Sequence, residues 1–283
     1  EIGANCYLYG CDGKWIMIDL GITFADEKYP GVDILVPKID FLENIYKQIE
    51  AIIISHGHED HAGAVAYLAD KINCPVYATS FAKILIENRL KEFGKLDKVK
   101  LISIDTKKNI DLNKFSIEFI STTHSIPESY SIVINTPYGK LLHTADWKID
   151  DDPIIGENFN FDSFKNLGNE GILALIGDST NADVPGSSKS EKEVRKELTK
   201  LFSRYNQRIV ATCFSSNIAR IESIALAAKK NNRKVVLVGR SMKKTIDAAV
   251  QTGFIKDISN FIDEEEASYI PRGNLVIICT GSQ

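Results

Sequence analysis

The sequence predicts an α/β protein in two parts: first short strands with few helices, then strands and helices in alternation. Three observations predict it. Short unbroken runs rich in β-branched residues, such as 51–55 (AIIIS), have the length and composition of buried strands. Between 65 and 72 the period changes: Val65, Leu68, Ala69 and Ile72 fall at i, i+3, i+4 and i+7, the stripe of an amphipathic helix. Beyond the linker-like run Pro185-Gly186-Ser187-Ser188, strands are separated by helices long enough for βαβ crossovers and a parallel sheet.

Taken in order, 6–9 and 15–19 read as strands around Cys11-Asp12-Gly13, whose Asp-Gly pair is a hairpin signal. The strand 51–55 feeds the helical stripe, and further strands are expected at 99–104, 115–121, 130–135, 140–144 and 171–177. In the second part Ser190-x-x-Glu193 is a capping box that opens a charged helix. Strand 209–213, helix 218–230, strand 234–239, helix 243–252 and strand 275–279 follow. The domains are therefore placed at 1–188 and 189–283.

The 283 residues suffice for one large or two medium domains. With 44% hydrophobic and 25% charged residues, the composition excludes a disordered tail, a collagen-like rod and a small disulfide scaffold. A net charge of −4 supplies no global positive field, so nucleic-acid binding would need local patches or metal ions. Cys6, Cys11, Cys74, Cys213 and Cys279 form no C-x-x-C pair, which argues against a zinc ribbon and for free thiols in a reducing cytoplasm. No apolar run has bilayer-spanning length, and no membrane partner is expected. The chain starts Glu1-Ile2-Gly3 without methionine and stops directly after the apolar run 275–279, so it reads as a fragment.

The histidines concentrate the chemistry. His56-Gly57-His58-Glu59-Asp60-His61 lies between a predicted strand and a predicted helix, and imidazole and carboxylate are ligands that suit zinc. His56 and His58, two apart at a strand end, can point to one side. Asp60 and His61 follow as the chain turns, so one turn offers two ligand clusters. The H-E-x-x-H helix is excluded, because His58 and His61 are three apart. His124 and Asp146 end other predicted strands and are further candidates, whereas His143, three before Asp146 in a strand, faces the other way and is given a supporting role. Ser216-Asn217 opens a helix after a parallel strand, where free N–H groups favour phosphate; Arg240-Ser241 stands at the same place one unit later. The structural alternative at Ser216 and Asn217 is simple helix capping.

The order His56-x-His58-x-Asp60-His61, His124, Asp146 resembles the metallo-β-lactamase fold. The stretches SHGHEDHAG (55–63), TTHSIPES (122–129), LHTADWKID (142–150), GDSTNAD (177–183), SSNIAR (215–220), GRSM (239–242) and CTGSQ (279–283) resemble ribonuclease J, of the β-CASP nuclease branch. The resemblance implies an αββα sandwich with an inserted parallel-sheet β-CASP domain, incomplete here. It implies that His56, His58 and His124 hold one Zn²⁺, that Asp60 and His61 hold a second, and that Asp146 bridges them. Asp60 and Asp178 would be catalytic, Asp178 helping to protonate the leaving oxygen; its structural alternative is a turn cap. Asp19 would orient the His-rich turn, and Ser216, Asn217, Arg240 and Ser241 would hold the 5′ end of RNA. Ala145 and Trp147 stand where the family more often has Gly and Phe. No histidine follows His143, although the family supplies two more, so the second metal site is expected to be incomplete and the chain truncated.

The implied function is hydrolysis of single-stranded RNA by zinc-activated water, as a 5′ exonuclease and/or endonuclease in RNA maturation and decay, rRNA processing included. A cytoplasmic location and a homodimer of the full-length protein go with it. Two alternatives stay open: a thioester or lactone hydrolase on the same fold, against which the βαβ insertion argues, and an RNA-binding fragment that does not cleave.

Overall fold

In the computed structural model, which describes residues 3–280, β1 (Tyr7–Cys11) and β2 (Lys14–Ile18) form the hairpin the Asp-Gly pair predicts. Asp12 and Gly13 have φ of 47° and 76°, as a tight two-residue turn between twisted strands requires. The chain folds into two compact units, the first being Glu1–Thr122, Glu128–Trp147 and Asn160–Pro185. The second is Thr123–Pro127, Lys148–Phe159 and Gly186–Gln283. Residues 281–283, which complete the CTGSQ stretch, lie outside the described residues.

The first unit continues with β3 (Thr23–Phe24), β4 (Ile34–Leu35), β5 (Ile49–Ile53), α1 (Glu59–Ala62), α2 (Val65–Ile72), β6 (Val76–Ala78), α3 (Ser80–Glu92) and β7 (Leu101–Ser103). Next come β8 (Ile110–Asp111), β9 (Ser116–Ser121), β10 (Tyr130–Thr136), β11 (Gly139–His143), α4 (Phe161–Glu170) and β12 (Ala174–Ile176). One sheet has the order β1-β2-β5-β6-β7, and a second β12-β11-β10-β9-β8. Strand periodicity sorts their side chains. Ile16, Ile18, Ala51 and Ile53 pack against Ile117, Ile132 and Ile134 of the second sheet. On the other face Met17 and Ile52 pack with Val65, Leu68, Ala69 and Ile72 of α2 and Ile86 and Leu90 of α3. The outer face of the second sheet is covered by α4, where Leu167 meets Val133 and Leu142. The first unit is thus an αββα sandwich.

In the second unit Ser190 caps α5 (Glu191–Phe202), its side chain accepting from the Glu193 N–H at 3.2 Å. β13 (Ile209–Thr212), α6 (Ile218–Lys230), β14 (Lys234–Val238), α7 (Arg240–Gln251), β15 (Phe261–Ile262), α8 (Glu264–Ala267) and β16 (Leu275–Cys279) follow. The sheet order is β13-β16-β14-β15, every pairing parallel. α7 begins three residues before the expected 243, which puts Arg240 and Ser241 in its first turn. The sequence pattern left α3 unrecognised, because its buried Phe81, Ala82, Ile86 and Leu90 are interleaved with charged residues. The cysteines are free thiols, and among the described residues no helix is long and apolar enough to cross a membrane.

Candidate metal centre

The end of β2 sets the site. Asp19 has φ of 60°, is fully buried, and turns its carboxylate toward the end of β5. One oxygen accepts from the Ser55 N–H at 2.8 Å and the other from Ser55 Oγ at 2.9 Å. That second oxygen also lies 2.7 Å from His61 Nδ1. A buried carboxylate with three such partners holds its neighbours in fixed orientations. The backbone tightens the same junction: Leu20 N–H donates to His61 O at 2.8 Å, Ile22 N–H to Glu59 O at 2.9 Å, and Asn5 N–H to Asp60 O at 2.9 Å. Gly21 is obligatory here, since a Cβ on it would lie 1.7 Å from the Asp60 carbonyl oxygen.

Beyond Ser55 the chain leaves the strand and presents the histidines. Ser55 Oγ lies 3.0 Å from His56 Nδ1, and His56 Nε2 lies 3.0 Å from His58 Nδ1. The His56 and His61 rings are buried with centroids 4.1 Å apart. With Nδ1 turned to Asp19, His61 points Nε2 at Asp146 Oδ1 (3.2 Å) and Asp60 Oδ2 (3.5 Å). Ligand atoms of Asp60, His61 and Asp146 all lie within 4.8 Å of one another, as do those of His56, His58 and Asp146.

The electrostatics follow from this crowding. Burial by itself would lower the His61 pKa, but Asp19, Asp146 and Asp60 outweigh it and hold the imidazole at about 10. Burial raises the Asp60 carboxyl, with Asp146 and Asp19 adding to the effect and His61 opposing it. Carboxylates and imidazoles gathered out of water fit a divalent cation, which takes nitrogen and oxygen donors and relieves their mutual repulsion.

His143 and Asp146 are related differently from the strand expectation. β11 ends at His143, and Ala145, with φ of 49°, reverses the chain, so strand alternation does not relate the two residues. His143 is buried, with Nδ1 2.8 Å from the Tyr9 hydroxyl and its ring edge-on to Tyr7 at 4.7 Å. Asp178 is half-buried beyond β12: its N–H donates to Thr144 Oγ1 at 2.9 Å, and its Oδ1 accepts from the Thr180 N–H at 2.8 Å, a turn cap.

In the second unit, Asn217 caps α6 by accepting from the Arg220 N–H at 2.9 Å, the capping alternative realised. Ser215 Oγ and Ser241 Oγ are 3.0 Å apart, which joins the turns before α6 and α7 at the C-terminal edge of the parallel sheet. Ser216 is half-buried there, while Arg240 and Ser241 are exposed. His124 belongs to the segment Thr123–Pro127 of this unit and lines a pocket with Lys148, Asp150, Glu191, Asn217 and Arg220. Glu191 is buried and takes a two-point contact from Arg220, at 2.6 and 3.1 Å, while its N–H donates to Asp150 at 3.1 Å.

Sequence reasoning did not single out Asn5, Tyr7, Ser55 or the Glu191–Arg220 pair. Asn5 Nδ2 lies 3.1 Å from His61 Nε2, and the Tyr7 phenol is raised by burial and by Asp19, Asp146 and Asp178. Only Ser55, beside His56, had a local signal.

Comparison with known proteins agrees with this architecture. Residues 1–158 match the family model for the metallo-beta-lactamase superfamily, and residues 206–283 that for the ribonuclease J beta-CASP domain. Over its whole length the chain is 41% identical to ribonuclease J of Sinorhizobium meliloti, covering 51% of that protein. It is 37% identical to ribonuclease J of Synechocystis, covering 45%. The chain therefore spans about half the length of the curated relatives it matches. A crystal structure of a protein of unknown function from Enterococcus faecalis shares the fold, with a TM-score of 0.66 at 16% identity over 100% of this chain and 75% of that one. The chain belongs to the metallo-beta-lactamase superfamily and is a homologue of the ribonuclease J proteins.

Proposed function

We propose that the protein is a metal-dependent ribonuclease that hydrolyses phosphodiester bonds of single-stranded RNA, from the 5′ end and/or internally. The observation that carries the reading is the convergence of Asp60, His61 and Asp146, with Asp19 on the far nitrogen of His61. His56, His58 and Asp146 would make one donor set, to which the family resemblance adds His124, and Asp60, His61 and Asp146 would make another, so Asp146 would serve both zinc ions. A pair of divalent ions held there would make water nucleophilic at neutral pH and balance the charge of a phosphodiester.

The protein's own groups do the rest. Asp19 keeps the His61 ring turned so that Nε2 faces Asp60 and Asp146, with which it would hold an ion. Asp178, whose backbone N–H donates to Thr144 Oγ1 beside the ligand loop, would help to protonate the leaving oxygen, as the family resemblance implies. The N-terminal turns of α6 and α7, with Ser216, Asn217, Arg240 and Ser241, bind the 5′ phosphate, and 189–283 acts as the β-CASP domain. The family resemblance further supports a cytoplasmic homodimer, which light scattering of the intact protein tests.

The deciding experiment incubates zinc-loaded protein with 5′-monophosphate and 5′-triphosphate RNA. Cleavage is expected, abolished by chelator, restored by zinc, and lost in Asp146→Asn. Two bound zinc ions with no cleavage of either RNA would sink the nuclease reading, and turnover of a thioester or lactone instead would move the assignment to that class.

A further inference from the structure

The residues that enter the metal centre from the start of β1 have no place in the ligand sets. Asn5 is fixed by its backbone, its N–H donating to Asp60 O and its carbonyl accepting from the Gly21 N–H, each at 2.9 Å. This leaves the side chain little freedom. Its Nδ2 lies 3.4 Å from Asp60 Oδ2 and 3.1 Å from His61 Nε2, and its Oδ1 accepts from the Tyr7 hydroxyl at 3.2 Å. Tyr7 is in turn steadied by the buried His143 ring against which it stands, and His143 by the Tyr9 hydroxyl. A carboxamide has a donor end and an acceptor end, and the Tyr7 hydroxyl occupies the acceptor. The N–H₂ end is thereby directed at Asp60 and His61.

We infer that Asn5, aimed by Tyr7, is a positioning residue for the Asp60–His61–Asp146 set. Its N–H₂ holds the Asp60 carboxylate beside His61, so that both meet one ion without first reorganising. The inference rests on the two-ion reading above. Groups that orient ligands in this way contribute about 10–100-fold to metal affinity. Asn5 acts through Asp60 and His61 and touches no reacting atom.

The test uses the intact protein, with zinc content measured by elemental analysis and each ion's affinity by competition with a chromophoric chelator. Asn5→Ala and Asn5→Asp should each weaken the second ion by about 10–100-fold and leave the first unchanged. Asn5→Asp keeps the shape but loses the N–H donor, so it separates positioning from ligation. Tyr7→Phe, which keeps the ring against His143, should weaken the second ion by a smaller factor. The melting temperature of the chelated protein should stay close to the parent's in Asn5→Ala and Tyr7→Phe, and kcat should fall with KM unchanged. Parent-like or tighter second-ion binding in Asn5→Asp would overturn the inference, and so would a loss of both ions together with chelated-state stability. If the parent itself binds no second ion, the two-ion reading fails, and this inference with it.

Discussion

The turn after β5 and the paired turns before α6 and α7 are all chain reversals at the C-terminal ends of parallel strands, yet they are built in opposite ways. In the first, Asp19, Ser55, His56 and His61 are buried, and each side chain is held by another. In the second, Ser216 is half-buried, Arg240 and Ser241 are exposed, and Asn217 spends its side chain on capping. The first arrangement suits a small ion whose ligands must stand at fixed distances. The second suits a mobile anion met by helix N-termini and side chains that can adjust. Damage to the buried supports Asp19 and Gly21 should therefore cost stability and metal together in the first region, whereas damage in the second should spare the metal.

The largest effect is expected at Gly21. An added Cβ overlaps the Asp60 carbonyl, which belongs to backbone and cannot swing away. Gly21→Ala should destabilise the protein by about 3 kcal/mol or more and abolish binding of the second ion. Denaturant unfolding and zinc analysis check both. Parent-like stability would show that the 59–61 segment yields, and the contrast between the two regions would lose its basis.

Asp19→Ala comes next. It strips the carboxylate from the buried Ser55 N–H and His61 Nδ1, and leaves Ser55 Oγ with the His56 and His61 rings alone. Leaving such groups unpaired should destabilise by about 3 kcal/mol. Zinc affinity should fall about 10–100-fold, because the His61 ring loses its orientation. Stability and metal binding should move together here.

In the second unit the sharpest support is Glu191 with Arg220. Arg220→Ala leaves the Glu191 carboxylate buried and without its two-point partner. The Arg220 side chain is 34% exposed, so the loss should be about 2 kcal/mol, below that of a fully buried pair. Zinc content should be unchanged. A loss of zinc equal to that in Asp19→Ala would show that the two regions do not behave independently.

Much of this was legible in sequence, and the rest was not for a definable reason. The Asp12-Gly13 hairpin, the stripe at 65, 68, 69 and 72, the Ser190 cap and the 56–61 turn are local patterns, and period and residue type suffice to read them. Asn5 and His61 are 56 residues apart, and asparagine is too common in turns to announce such a role. Glu191 and Arg220 are likewise distant, and a charged residue one position past a capping serine reads as helix surface. The sequence places His143 and Asp146 on one strand, yet β11 ends at His143; no residue pattern marks the left-handed turn at Ala145.

The smallest effect is a slope, and its sign separates two histidines of the same region. Burial lowers the His143 pKa from 6.5, and His61 lowers it further, while Asp19 and Asp146 oppose this. As pH falls below 6.5 the unfolded chain takes up a proton that folded His143 refuses, so stability declines on the acid side. His61 works in the other direction. Its folded value of about 10 means that its contribution is complete below 6.5 and is lost as pH rises through about 10. In chelated protein, unfolding midpoints measured from pH 5 to 10 should therefore drop toward both ends. The pair Tyr9→Phe with His143→Phe removes both hydrogen-bonding partners at once and should flatten the acid limb alone. The raised carboxyl of Asp60, which gains stability as pH falls, is present in parent and variant and cancels in the difference. Zinc should erase the alkaline limb, because the ion takes the place of the His61 proton, and its binding at pH 7 should release that proton to solution. An acid limb that survives the double substitution would mean that His143 is not the group that resists protonation, and its place beside the centre would then be one of packing only.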